Sequence, residues 1–283
     1  MSVIQLGLLD KTGHLDDGLV QSAAAALNIQ VTRDLPQFWP VQATVLYLAH
    51  PNKVPAGVWP VQLVNHLPPG EGGFHLDKHN QPYAQVLASA QNDGWTIAAS
   101  HEVLEMLVDP YGNRLHSSRS IEIVGNRIKD GPGQFEYLVE ACDPCEADTY
   151  GYSINGIAVS DFITPHFYDP VTAAGTRYSF TGAIKSPREI LPGGYISWVD
   201  QQTEEWQQLQ WVDSNEPPKI VDLGPANGRS LREWVDGITA ETNMRTTTQI
   251  AKNPTNHQLL QSARERRVHL DRIAEARAKL YTR

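Results

Sequence analysis

The chain has 283 residues, of which 41% are hydrophobic and 19% are charged, an ordinary composition for a soluble globular protein. Its formal net charge of −9 argues against a general nucleic-acid binder, so nucleic acid is an unlikely partner. No apolar stretch reaches the roughly 18 residues of a membrane span, and the N-terminus lacks a secretory signal. We therefore expect cytoplasmic synthesis and no membrane partner, with incorporation in a virion or an exported assembly as an alternative.

The charge is unevenly distributed along the chain. Residues 245–283 carry nine Lys or Arg against three Asp or Glu, so the acidic excess lies in the first 244 residues. This segregation indicates a tail that docks on the acidic body or on other subunits of an assembly. The alternative is a solvated basic helix without a partner.

The hydrophobic periodicity predicts an α+β fold. The first part of the chain predicts strands at 3–9, 41–48, 58–64 and 83–87, a Gly-rich loop at 68–82, and helices at 15–27 and from an N-cap at Asp93 to Asp109. Further strands are predicted at 121–124, 135–139, 152–154, 157–159, 178–184, 195–199 and 206–211, then a linker at 216–230 and helices at 230–235 and about 256–280. We expect a metal-binding domain at 1–170, a β-rich extension at 171–215, and a linker with a basic helical tail at 216–283.

The helix that ends at Asp109 carries its polar side chains in one narrow sector. At 100° per residue, His101, Glu102, Glu105 and Asp109 share a sector about 100° wide, and apolar residues cover the rest. Burying such a cluster costs several kcal/mol unless a counter-charge is present, so the pattern favours a bound cation. The alternative is a polar stripe facing solvent. Exposure of these side chains, or arginines from elsewhere that neutralise them, would remove the argument for an ion and with it the case for a hydrolase.

The sequence His101-Glu102-Val103-Leu104-Glu105 has the HExxE pattern. The spacing places His101 and Glu105 one helical turn apart, where both can bind one ion, and leaves Glu102 to hold a water bound to that ion. This predicts a Zn²⁺ site. Carboxylate ligands also suit harder ions such as Mn²⁺ or Ca²⁺, which remain alternatives.

Three segments together resemble a known family. SHEVLEMLVDP, followed by YLVEACDPCE and INGIAVSDFITPHFYDP, is similar to zincin-type metallopeptidase homologues of bacterial and phage genomes. These pair an HExxE-x3-DP helix with a downstream Glu-x2-Asp segment. The resemblance covers about residues 1–170 and implies a zincin-like domain: helices on a mixed sheet, an edge strand beside the cleft, and an active-site helix. It also implies a zinc-dependent hydrolase of peptides or proteins with Glu102 as general base.

The third protein ligand is expected from outside the helix. Glu140 and Asp143 are the candidates, and the resemblance favours Glu140, with Asp143 as a competitor or as a partner of His101. Cys142 and Cys145 are alternative ligands, if they do not form a local disulfide or remain two unreactive thiols.

Other polar residues complete the expected cleft. His166 or Tyr168 is a candidate donor to the developing oxyanion, if neither is merely a rim residue. His75 and His79 are expected to be exposed loop residues. Residues 81–86 are expected to form an edge strand, which could pair an extended peptide.

A structural or interaction protein of a phage particle or secretion-like assembly is the alternative function. The β-rich extension, its tryptophans (Trp198, Trp206 and Trp211) and the basic tail favour it, because a minimal peptidase needs none of them. A glycosidase with paired carboxylates is a third hypothesis, for which we find no sugar-stacking pattern.

Overall fold

A computed structural model of the chain describes residues 3–228, 230–232, 234–235, 261, 265–268, 270 and 272. These residues form a mixed α+β fold with two five-stranded sheets and one two-stranded sheet. The predicted helix at 256–280 falls largely outside the described residues, although residues 265–268 within it are helical. Among the described residues, no helix combines the length and the apolar character needed to cross a bilayer.

The first sheet comes from the N-terminal part of the chain. Its strands are β1 (Ile4–Asp10), β2 (Ala43–Tyr47), β3 (Val58–Val64), β4 (Gly73–Lys78) and β5 (Gln81–Leu87). The spatial order is β2-β1-β3-β5-β4. The first four strands in this order pair in parallel, and β4 pairs antiparallel to β5 at the edge, with His75 opposite Ala84.

Two helices, α1 (Asp17–Ile29) and α2 (Trp95–Val108), pack against this sheet and against each other. The Asp16 carboxylate caps α1 by accepting the Leu19 N–H at 2.8 Å. Helix α2 begins one residue later than predicted: its N-cap is Gly94, without a side-chain cap, and Asp93 instead pairs with Arg267 at 3.3 Å.

Strand β4 lies inside the segment that we predicted to be a loop. The order of the first elements is therefore β-α-β-β-β-β-α rather than β-α-β-β-β-α. Strand β5 lies between β3 and β4, so the prediction that residues 81–86 form an edge strand is wrong. The edge of the sheet next to α2 is β4.

The second sheet is antiparallel and uses strands from the middle and the end of the described chain. The remaining strands, in chain order, are β6 (Leu115–Val124), β7 (Arg127–Leu138), β8 (Tyr152–Ile154), β9 (Ile157–Val159), β10 (Tyr195–Val199), β11 (Trp206–Gln210) and β12 (Lys219–Gly224). The second sheet has the order β12-β11-β10-β7-β6, and β8 and β9 form a separate hairpin.

Two predictions for this region are wrong. Residues 178–184 form no strand and contribute only an isolated bridge between Ile163 and Ser179. Residues 219–224, which we predicted to be linker, form β12 because they extend the edge of the sheet alongside β11. The prolines and the glycine around this short strand are typical of a linker, which is why the sequence did not predict a strand here.

One large buried hydrophobic cluster includes residues from Leu6 in β1 to Leu209 in β11. Strand β10 also pairs with β7, with Trp198 opposite Tyr137. The predicted division at residue 170 therefore falls between segments that share one sheet and one core. A second, smaller cluster joins Leu138, Trp206, Leu223, Trp234 and Val235.

Candidate metal centre

The polar sector of α2 faces the interior of the protein. The exposed fractions of His101, Glu102, Glu105 and Asp109 are 8%, 3%, 0% and 1%. The alternative of a solvent-facing stripe is therefore wrong. Three carboxylates and a histidine are removed from water on one helix, and their partners must come from other elements.

A short 3-10 turn at Asp143–Cys145 supplies the first partner. The Nε2 atom of His101 lies 3.2 Å from Glu105 Oε2 and 3.2 Å from Asp143 Oδ1. Glu105 Oε1 accepts the backbone N–H of Cys142 at 3.0 Å, which fixes the carboxylate against the turn. A residue further along the chain holds this 3-10 turn in place, because the Leu191 N–H donates to the Pro144 carbonyl oxygen at 2.9 Å.

The structure brings both candidates for the third ligand to the cluster, where they have different neighbours. Asp143 contacts His101, whereas Glu140 lies within 4.8 Å of potential ligand atoms on both Glu105 and His75. Cys142 offers its sulfur within the same distance of His101 and Glu105. Both cysteines are free thiols, so the predicted alternative of a local disulfide is wrong.

Arg232 enters the cluster from a segment far along the chain. Its guanidinium lies 3.1 Å from Asp143 Oδ2, 3.2 Å from Glu140 Oε1 and 3.5 Å from Glu105 Oε2, and the residue is 4% exposed. Gly112 leaves room for it, since a Cβ there would lie 2.5 Å from Arg232 Cβ. Arg232 is therefore an arginine from elsewhere of the kind that we expected to remove the argument for an ion. It supplies a counter-charge to Glu105, Glu140 and Asp143, so the case for an ion depends on buried oxygens that lack a hydrogen bond, among them Glu102 Oε2.

His75 is not an exposed loop residue, as we predicted, but is fully buried on β4. Its Nε2 lies 3.1 Å from the Asp109 carbonyl oxygen, and its Nδ1 lies 3.5 Å from Glu102 Oε2 and 3.8 Å from Glu105 Oε2. His79 is exposed at the turn between β4 and β5, as predicted.

A cavity of about 350 Å³ opens beside the cluster. His101 and Glu102 line it, so two members of the HExxE sequence face space that a ligand can enter. Gly73 on β4 keeps this space open, because a Cβ there would lie 2.7 Å from Glu102 Oε1. Other lining residues, none of which the sequence analysis identified, are Glu71, Trp95, Glu146, Asp148 and Tyr195.

The charges of the cluster depend on one another. Burial opposes ionisation of Glu105, but the facing His101 and Arg232 hold the pKa of its carboxyl well below its usual range. Burial also opposes the charge on His101, yet Glu105 and Asp143 raise the pKa of this histidine well above its ordinary value. Burial raises the pKa of Glu140 well above its usual range, despite Arg232. Without an ion, the cluster therefore favours the charged forms of His101 and Glu105 and disfavours the charged form of Glu140.

Two carboxyl groups of the cavity wall titrate far from their ordinary range. Burial raises the pKa of Glu146 to about 8, against the opposing effect of His101, and raises the pKa of Asp148 to about 6. Both groups carry less negative charge near neutral pH than the sequence suggests.

The two predicted oxyanion donors do not line this cavity. His166 has a side chain that is 54% exposed and bonds to Asp169 at 2.8 Å. Tyr168 is buried and stacks on His116 with ring centroids 4.4 Å apart. Burial and the nearby Glu140 raise the pKa of Tyr168 well above its usual value, so its hydroxyl stays protonated. The structure therefore brings neither residue to the position that an oxyanion donor needs.

No family model, no curated protein and no solved structure matches the chain. The geometry and chemistry of this cluster are therefore the observations that bear on function.

Proposed function

We propose that the protein is a zincin-like, zinc-dependent peptidase or amide hydrolase with its metal centre on α2. One observation carries the proposal: Glu102 Oε2 is buried without a hydrogen bond, and Glu105 Oε2 and Asp143 Oδ1 both lie 3.2 Å from the same nitrogen of His101. A buried acceptor without a hydrogen bond is costly, and a cation shared with the neighbouring carboxylates would remove that cost. The mixed sheet, its antiparallel edge strand β4 and the cavity beside α2 support the zincin-like assignment.

The donor set fits zinc, which binds imidazole nitrogen and carboxylate oxygen. Nε2 of His101 faces Glu105 and Asp143 at equal distances of 3.2 Å, so one ion could be shared among the three. Glu140, which the resemblance favoured, is the competing third ligand. Because two carboxylates take part in either set, Mn²⁺ and Ca²⁺ are the alternative ions.

In this proposal, Glu102 would transfer protons and Tyr195 would stabilise the oxyanion during hydrolysis. A bound zinc ion would polarise the scissile carbonyl and acidify a water. Glu102 lines the cavity, so its carboxylate can accept a proton from that water and pass it to the leaving amine. Tyr195 lines the same cavity and takes the place of His166 and Tyr168 as the candidate donor to the oxyanion.

The test separates catalysis from ion binding. Glu102→Gln should abolish hydrolysis of a mixed peptide library while metal content, measured by elemental analysis, stays unchanged. Glu105→Ala should lose both. Glu122→Gln, at an exposed position on β6, is the matched control and should behave as the native protein. Equal loss of metal from Glu102→Gln would show that the roles are misassigned. A melting temperature that is unchanged by Zn²⁺, by Mn²⁺ and by Ca²⁺ would refute the proposal.

Arg232 favours a second candidate, a non-catalytic structural or interaction protein of a phage particle or secretion-like assembly. Its ion pairs with Glu105, Glu140 and Asp143 supply a counter-charge that needs no metal. This candidate predicts no bound metal after purification and co-purification with a large particle. Contacts with other subunits through the basic tail remain a prediction, because most of residues 245–283 lie outside the described part of the chain.

A further inference from the structure

We propose that the centre holds two divalent cations rather than one, and that His75 Nδ1 is a ligand of the second. The second position is formed by His75, Glu105 and Glu140, and it shares Glu105 with the first position beside His101. This inference rests on the proposed metal centre, whose single-ion form needs only α2 and the turn at Asp143–Cys145.

The backbone places His75 on the inner side of the edge strand. In β4 the buried side chain is His75, whereas its apolar neighbours Phe74 and Leu76 are partly exposed. Gly73 lies two residues before it and would touch Glu102 if it carried a Cβ. The face of β4 that packs on α2 is therefore directed at the carboxylates.

A hydrogen bond fixes which nitrogen of His75 faces the carboxylates. Nε2 lies 3.1 Å from the Asp109 carbonyl oxygen, which can only accept, so Nε2 carries a proton. In the neutral ring, Nδ1 then presents a lone pair. Metal-binding histidines are oriented in this way, with the second nitrogen donating to a carbonyl or carboxylate.

The surroundings of Nδ1 call for a cation. This atom is buried without a hydrogen bond, 3.5 Å from Glu102 Oε2 and 3.8 Å from Glu105 Oε2. A lone pair that faces two carboxylates is repelled by them. A protonated ring would be attracted, but N–H···O hydrogen bonds measure about 2.7–3.2 Å. The observed separations are closer to the roughly 3.3 Å between two donor atoms on one tetrahedral ion with bonds of about 2.0–2.1 Å.

Two ligand groups overlap at Glu105. One consists of His101, Glu105 and Cys142, and the other of His75, Glu105 and Glu140; within each, the ligand atoms lie within 4.8 Å of one another. A carboxylate offers about four lone-pair directions and can bridge two ions about 3.5–4 Å apart. Arg232 contacts Glu140 through Oε1, and Glu140 Oε2 is buried without a hydrogen bond.

The charge balance also favours a second ion. When ionised, Glu102, Glu105, Glu140 and Asp143 carry four negative charges, and Arg232 pairs with three of these carboxylates. One divalent ion would offset two of the four charges, whereas two ions would offset all four.

The experiment counts bound ions. The full chain is stripped with a chelator, reloaded with Zn²⁺ or Co²⁺, and analysed by elemental analysis and by a Co²⁺ absorption titration. The native protein should bind two equivalents in two phases. His75→Ala and His75→Phe should each bind one, and Glu105→Ala should bind neither. His50→Ala, at an exposed position, is the control and should keep both.

The outcomes distinguish this inference from the function on which it rests. One equivalent in the native protein that persists in His75→Phe overturns the second site and leaves the hydrolase proposal standing. No bound metal in the native protein overturns both. If neither His75 variant folds, the number of phases in the Co²⁺ titration of the native protein decides: two support the inference and one overturns it.

Discussion

The counter-charge role of Arg232 gives the sharpest prediction, because the two candidate functions require opposite results. Arg232→Met keeps most of the buried side-chain volume and removes the charge that faces Glu105, Glu140 and Asp143 at 3.1–3.5 Å. Removing one partner of a buried ion pair costs about 3–5 kcal/mol. At about 2–3 °C per kcal/mol for a chain of this size, the variant should melt roughly 6–15 °C below the native protein in chelator.

Metal should restore that loss if the cluster is a cation site. A ligand at a thousand times its Kd adds about 4 kcal/mol, and it should bind the variant more tightly because no guanidinium competes for the carboxylates. We therefore expect a larger zinc-induced rise in melting temperature for Arg232→Met than for the native protein, measured by circular dichroism. Arg188→Met is the matched control: Arg188 is also buried, at 1% exposed, but it pairs with Asp130, so zinc should not rescue this variant. An Arg232→Met variant that is destabilised by a similar amount with and without zinc would refute the reasoning and favour the non-catalytic candidate.

Three further predictions concern single positions. Gly73→Ala places a Cβ 2.7 Å from Glu102 Oε1 and should lower turnover about 10- to 100-fold with unchanged metal content. Gly72→Ala is the control, because a Cβ there has no atom within 4 Å and should leave turnover unchanged. Equal activity of the two variants would contradict the role of Gly73. Ser100→Ala removes hydrogen bonds to Gln30 (2.7 Å) and to the Ser160 N–H (2.9 Å), and urea unfolding should show a loss of about 2–4 kcal/mol. Because burial raises the pKa of Glu146 from 4.5 to about 8, the folded protein keeps a proton that the unfolded chain releases, and stability falls as pH rises through this window. Glu146→Gln should therefore raise the melting temperature in metal-free buffer at about pH 9 and leave it unchanged below about pH 4.5; no difference at the higher pH would contradict the shifted pKa.

The sequence was sufficient for the helix at the centre of the site. Its 3.6-residue apolar pattern is local information, and it predicted both the element and the sector that holds His101 and Glu105. Strand β3 was also predicted at its observed bounds, because a valine-rich, largely apolar run lies between turns. In both elements, the apolar side chains that the sequence pattern places on the core-facing side are buried.

The same patterns concealed β4 and His75. The strand is short, begins with glycine and ends with two charged residues, so its composition is that of a loop. Its alternation is also inverted, since Phe74 and Leu76 are more exposed than His75. The inversion has a physical cause: the inner face of β4 meets a polar cluster instead of a hydrophobic core. A histidine between two apolar residues at alternating spacing was the only available signal.

Arg232 could not have been predicted from any local pattern. It reaches the cluster because Trp234 and Val235 on the same segment pack with Leu138 and Trp206 in the smaller hydrophobic cluster. That contact joins positions nearly a hundred residues apart in the chain. Long-range packing of this kind leaves no periodicity around the arginine itself.

The bracing of the turn at Asp143–Cys145 has a consequence for any shortened version of the chain. Gly194 approaches this turn so closely that a Cβ would lie 2.5 Å from the Pro144 carbonyl oxygen and 2.7 Å from that of Asp143. A chain that stopped at residue 170 would keep both acidic motifs but would lose the glycine and the Leu191 N–H that hold one of them in position. The part of the chain that carries the acidic motifs therefore depends on the C-terminal part for its shape, and removing the latter would deform the cluster without replacing a single candidate ligand.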